Sequence, residues 1–204
     1  MLGKTLLTNS IAIALSSFAV CQNPAAAQIA QFSQPNPNQS SQQITVLDQE
    51  FAAEAAENAQ AAIQLGQMAV QQGTNEDVKI YAQQMVHDHT KIYNQIKQLA
   101  SRKGIAIPSE MGSTNRLEME NLSRFSGNEF DRAYMRLMME DRTRDESLFG
   151  RVALQGDDPD LKAWAKKNLG AIKQQFRSAR SIARDLRQPA PAPEAPPVAP
   201  PNTP

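Results

Sequence analysis

Between Val46 and Arg187, apolar residues recur three or four positions apart in four long segments separated by three short breaks. That period is the signature of one buried face on an α-helix. The first segment, Val46 to Gln72, contains no proline and aligns Leu47, Phe51, Ala55, Asn58, Ala62, Leu65 and Ala69; Gly73 ends it. The second, from about Asn75 to Arg102, turns Val78, Tyr81, Ala82, Met85, His89, Ile92, Ile96 and Leu99 inward and stops at Gly104. Thr74, with Asp77 three residues on, reads as its capping box. Residues 105–112, interrupted by Pro108, form a connection, and Ser113 to Arg124 predicts a short helix. Ser126 with Glu129 opens the third long helix, Gly127 to Gln155, whose inner face carries Phe130, Tyr134, Leu137, Met138, Asp141, Asp145, Leu148, Phe149 and Val152. Asp158-Pro159 supplies a cap and a first-turn proline for the fourth. It runs to about Arg187 with Leu161, Ala165, Leu169, Ile172, Phe176, Ala179 and Leu186 inward.

Four stripes of this length are best buried against one another, so the expected fold class is all-α, an antiparallel four-helix bundle over residues 46–187. No stretch alternates long enough to argue for a sheet.

The flanks differ in kind. Lys4, the mostly apolar run Ile11 to Val20, and Ala25-Ala26-Ala27 read as a secretory signal over residues 1–27. The run is too short to cross a bilayer, which takes about 20 residues. Export to the periplasm or outer envelope is expected, with no transmembrane span after cleavage. Cleavage would remove Cys21, the sole cysteine. Acylation of Cys21 is the competing reading, opposed by Val20 where a small residue is wanted. Residues 28–45 are rich in Gln, Ser, Asn and Pro and read as a disordered lead. Residues 188–204, with eight prolines from Pro189 onward, read as a polyproline spacer. The 21 basic and 21 acidic residues balance, so charge gives no case for nucleic acid.

The midpoints of the four helices fall near Asn58, His89, Asp141 and Ile172, which lie at one level if neighbours run antiparallel. Three are polar. Asp145 is one turn from Asp141, and Asn168 and Gln175 flank Ile172, so a polar layer across the centre is expected. One arrangement is structural, with His89 bonded to Asp141 and the amides satisfying the rest. The alternative is iron or another divalent transition metal on His89, Asp141 and Asp145. No Glu-x-x-His pair supports it, so no cofactor is expected. His87 faces solvent among Gln83, Gln84, Thr90 and Lys91, and Asp88 is placed to pair with Lys91. No nucleophile and base come together in the sequence, which favours a non-enzymatic protein; the rival is a metal-binding or oxidoreductase bundle.

The segments MVHDHTKIYNQI, SRKGIAIP, FDRAYMRLMMEDRTRDESLF and DPDLKAWAKKNL, in that order, resemble the bacterial domain-of-unknown-function family DUF4142 over about Leu47 to Ala183. The resemblance implies a ferritin-like four-helix bundle of the cell envelope, often labelled an outer-membrane protein, with no established reaction. Family members typically carry Asp-His in both central helices; this chain keeps Asp88-His89 but has Asp141-Arg142. A histidine often stands where Gln175 is, and glutamates where Ala62 and Gln64 are. The resemblance thus implies a member lacking most ligands of any family metal site, with Arg142 a fixed cation beside Asp141 or Asp145.

The last helix adds a charged flank. Lys162, Lys166, Lys173, Arg177, Arg180, Arg184 and Arg187 fall within about 80° on its wheel. Either this is a solvated face, partly neutralised by Asp48, Glu50, Glu54 and Glu57 of the first helix, or it meets anionic envelope polymer or lipid headgroups.

Overall fold

The computed structural model describes residues 44–188. The signal segment, Cys21, the lead through residue 43 and the tail from Pro189 lie outside the described residues. Among the described residues five helices form: α1 (Val46–Gln72), α2 (Glu76–Arg102), α3 (Ser113–Leu122), α4 (Gly127–Gln155) and α5 (Pro159–Asp185). The long ones begin and end within about two residues of the bounds read from the sequence.

α1 and α2 make one antiparallel hairpin and α4 and α5 another; α1 also packs on α4, and α2 on α5. Contacts at the ends fix direction. Asp158 N donates to Asp48 Oδ2 at 3.2 Å, and Lys103 Nζ meets Asp158 Oδ2 at 2.6 Å. The starts of α1 and α5 and the end of α2 therefore share one end. Thr74 N donates to Asp131 Oδ1 at 3.1 Å, bringing the starts of α2 and α4 together at the other. Every adjacent pair is antiparallel, and the diagonals α1/α5 and α2/α4 are parallel. Because α2 stops at one end and α4 starts at the other, residues 103–126 travel the length of the molecule, with α3 lying on α1 and α4.

The buried faces keep a 4-3 spacing. On α2 it runs Val78, Ala82, Met85, His89, Ile92, Ile96, Leu99, and on α4 Asp131, Met135, Met138, Arg142, Asp145, Phe149, Val152. A sustained heptad seam of this kind holds neighbouring helices side by side. On α1 the same spacing selects small residues, Ala52, Ala55, Ala59, Ala62, Gly66 and Ala69, so α2 approaches closely. A Cβ on Gly66 would stand 2.8 Å from Val86 Cγ2 and 3.0 Å from the Ala82 carbonyl.

The apolar core forms two clusters. One gathers Leu65, Tyr81, Met85, Phe130, Tyr134 and Met138; the other gathers Phe51, Ile96, Leu99, Phe149, Leu161 and Ile172. The buried polar residues near the middle of the long helices, His89, Arg142, Asp145 and Gln175, lie between them.

Buried aspartates tie both ends. Asp48 completes a capping box with Thr45 while accepting the Asp158 N–H, and Asp158 caps α5. At the other end Asp131 accepts from the Thr74 and Asn75 N–H groups and, at 2.6 Å, from the Thr74 hydroxyl. That corrects the start expected for α2: Thr74 is held by Asp131, and Asn75 is the cap, its side chain accepting from Val78 N. Ser126 is the α4 cap residue but makes no side-chain capping bond, and Gly127 after it has φ 56°.

Candidate functional site

The polar layer is built around Arg142, whose side chain is 1 % exposed. Its guanidinium lies 3.0 Å from Asp145 Oδ2, donates to Gln175 Oε1 at 3.2 Å and bonds His89 Nε2. An arginine offers only donors, so His89 Nε2 accepts and the ring proton sits on Nδ1. The network continues both ways. Asn58 Nδ2 donates to Asp145 Oδ1 at 3.0 Å and takes a bond from Asn115 of α3 on its own carbonyl. Gln175 Nε2 donates to Asp88 Oδ2 at 3.3 Å, and Gln84 Nε2 to Asp88 Oδ1 at 2.8 Å. One connected set of polar side chains thus joins all five helices.

Two expectations change. Asp141 is not the partner of His89: it keeps to the flank of α4 facing α1 and α3, where its carboxylate pairs with Arg144, which also holds Glu118 of α3 at 2.9 Å. Arg142 occupies the heptad position and has the longer arm, so it reaches across the centre to the diagonal helix. Asp88 pairs with the two glutamines rather than with Lys91, since it borders α5. His87 is exposed.

Burial dominates the electrostatics. It depresses the His89 pKa well below the ordinary 6.5, and the neighbouring Arg142 charge depresses it further. Burial also works against the Arg142 charge, but Asp145, with Tyr81 and Asp141 behind it, more than offsets this and raises its pKa. Asp141 is pushed up to about 6 by burial, despite the Arg142 and Arg144 charges. Tyr81 is raised to about 12 by burial. Tyr81 Oη, Tyr134 Oη, His89 Nδ1 and Arg142 Nε are buried without a protein partner.

A divalent cation does not fit these donors. The His89 Nε2 lone pair is taken by an arginine proton, and Arg142 holds a permanent positive charge where His89 and Asp145 would converge on a metal. Among the described residues no three His, Cys, Asp or Glu side chains gather into a ligand set, and Asp141 is drawn away to Arg144. Beside the layer, a crevice lined by Asn58, Asn115, Asp141, Arg142 and Asp145 has about 10 Å³ of room for a water's centre. That is space for about one water.

Residues 33–182 match the family described as Domain of unknown function (DUF4142). The chain belongs to that family. No curated protein and no solved structure matches it. The match covers every residue of the DUF4142 polar layer described above.

The α5 cations are placed separately. Lys166, Lys173, Arg177, Arg180, Arg184 and Arg187 are exposed and Lys162 is half-buried. Lys173 meets Glu146 of α4 at 3.5 Å, and Arg184 meets its neighbour Asp185 at 3.1 Å. The acidic residues of α1 do not neutralise them, because α1 lies on the diagonal from α5. Asp48 is buried in its cap, and Glu54 faces Arg151 of α4, whose charge works against the rise that burial causes.

The sequence reading named Asp158 as the α5 cap but missed Asp48 and Asp131 as ties between the ends of the helices. Thr45-x-x-Asp48 is a capping-box spacing, and the 4-3 seam through Met135, Met138, Phe149 and Val152 passes through Asp131 and Arg142. The unpartnered tyrosine hydroxyls leave no signal in sequence.

Proposed function

We propose that this DUF4142 chain is an exported, envelope-associated helical protein with a structural or interaction role and no catalytic one. The observation that carries this reading is Arg142: a buried guanidinium bonds the inward histidine and pairs with its carboxylate neighbour, making the centre a fixed ion-paired layer. Such a layer sets helix register rather than presenting an open reactive position. The four long helices are read as a ferritin-like bundle on the strength of one long crossover connection, residues 103–126, between diagonal helices. Export rests on the segment at residues 1–27, and an anionic envelope partner rests on the exposed α5 cations. No helix among the described residues is long and apolar enough to cross a membrane.

The test is elemental analysis of the protein isolated from its native compartment, alongside fractionation of the cells. Metal below stoichiometric amounts, with the protein in the envelope fraction, is the expected result. A stoichiometric transition metal that is lost in His89→Ala would overturn the non-enzymatic reading in favour of a ferritin-like metal protein or oxidoreductase.

A further inference from the structure

Lys162, Lys166, Lys173, Arg177, Arg180 and Arg184 form a single file along α5 that spans about 33 Å at 1.5 Å per residue, with Arg187 just past its end. Within the file, successive cations stand three or four residues apart except between Lys166 and Lys173. Such spacing makes neighbours on one helix face repel. Among the described residues, no carboxylate lies in ion-pair reach of Lys162, Lys166, Arg177, Arg180 or Arg187. The helix dipole favours cations at the C-terminal end but opposes Lys162, which sits in the first turn. The stripe is therefore internally unfavourable, relieved among the described residues only at Lys173 by Glu146 and at Arg184 by Asp185. The opposite charge is concentrated on the diagonal: α1 carries Asp48, Glu50, Glu54 and Glu57 with no Lys or Arg. A neutral chain is thus polarised across its width, with α5 as the face that an external anion attracts.

We propose that this stripe is the docking face for a linear anionic polysaccharide, laid along α5 with one acidic group opposite each cation. The inference rests on the reading of the protein as an envelope interaction module and names the partner. A row one side chain wide matches a line of charges better than a plane of headgroups. The side of α4 next to it is mixed in charge: Arg132 donates to the Leu186 carbonyl and Glu146 meets Lys173. Among the described residues, the exposed large apolar side chains are Val46, Ile80, Leu117, Phe125 and Leu154, none on α5, so this face offers lipid no such side chain. Single-stranded nucleic acid takes aromatic stacking platforms. Here the Trp164 indole is tied at 3.0 Å to Gln95 of α2, on the far flank of the helix, and Phe176 is half-buried.

The experiment measures binding of the full chain to polygalacturonate, with dextran, phosphatidylglycerol vesicles and poly(dT) as the other probes. Polygalacturonate is expected to bind at about 50 mM salt and to weaken at least about tenfold by about 200 mM, as ion release dictates. Lys162→Gln with Lys166→Gln, and separately Arg177→Gln with Arg180→Gln, each lower the affinity at least about tenfold with helix content unchanged. Lys91→Gln with Lys97→Gln, on exposed α2 positions, leaves it within about twofold. No binding at low salt, equal loss in the α2 variant, or tighter binding to vesicles or poly(dT) than to polygalacturonate overturns the inference. Envelope fractionation of the α5 variants separates the two readings: retention in the envelope overturns the stripe as the docking face while leaving the proposed function standing, and release supports both.

Discussion

Replacing Arg142 with methionine removes a buried charge whose partners are Asp145, His89 and Gln175. Asp145 loses a contact at 3.0 Å and retains only Asn58, Gln175 Oε1 loses its donor at 3.2 Å, and His89 Nε2 is left without one. Breaking a buried ion pair on one side costs about 3–5 kcal/mol, because the remaining charge stays buried and uncompensated. Against a domain stability of about 5–15 kcal/mol, that is a large fraction. Asp145→Leu alone strands Arg142 in the same way and costs a similar amount. The double variant strands neither charge, and apolar replacement of a buried pair is neutral or stabilising by about 1–4 kcal/mol in comparable cases. Here the unpaired His89, Gln175 and Asn58 consume part of that gain, so the double variant should lie nearer the parent than either single one. Urea denaturation of the four proteins closes the cycle and gives the coupling energy. A coupling near zero, or a cost below about 1 kcal/mol for Arg142→Met, would show that Arg142 does not organise the layer.

Stability against pH follows from two opposed groups. His89 has a folded pKa well below 6.5, so the unfolded chain takes up a proton that the folded one refuses, and stability falls as pH drops below about 6.5. Asp141, raised from 3.8 to about 6, protonates first in the folded state and adds stability over that interval as pH falls. The parent should therefore change little between about pH 6 and 4, while Asp141→Asn exposes the His89 loss at up to about 1.4 kcal/mol per pH unit. Urea melts across that range decide it; an Asp141→Asn curve as flat as the parent's contradicts the assignment. His89→Ala should lower the melting temperature in metal-free buffer, and an unchanged value would place His89 outside the core. Gly66→Ala gains about 1 kcal/mol in helix propensity but forces a methyl to 2.8 Å from Val86, where overpacking costs about 1–3 kcal/mol. It should destabilise, whereas Gly170→Ala, with nothing within 4 Å, should stabilise; identical signs in thermal melts would refute the close α1/α2 approach.

The helices could be read from the sequence because Gly73, Gly104 and Asp158-Pro159 punctuate long apolar periods, and such signals act within a few residues. The level of the polar layer was legible for the same reason: antiparallel helices of nearly equal length bring Asn58 and His89 to the centre. Which residue of α4 crosses that centre was not. Asp141 and Arg142 are adjacent and both lie near the buried face; Arg142 holds the 4-3 seam position and has the longer arm, while Asp141 pairs with Arg144, which also holds Glu118 of α3. The lock between Asp131 and Thr74 was hidden by its separation of 57 residues. Local capping patterns could therefore name Thr74 as the cap when Asn75 holds that place.

One feature of the topology bears on how the domain carries load. α1 and α5 run parallel on a diagonal, so the chain enters the domain at residue 44 and leaves it at residue 188 from opposite ends of a rod about 40 Å long. Tension applied through the two flanking segments acts along the helix axes. It slides neighbouring helices past one another in shear instead of peeling them apart one turn at a time. In that geometry the two apolar clusters, the Asp131 and Asp158 ties and the Arg142 layer all resist together, and the domain behaves as a stiff link in series between whatever its two ends are joined to.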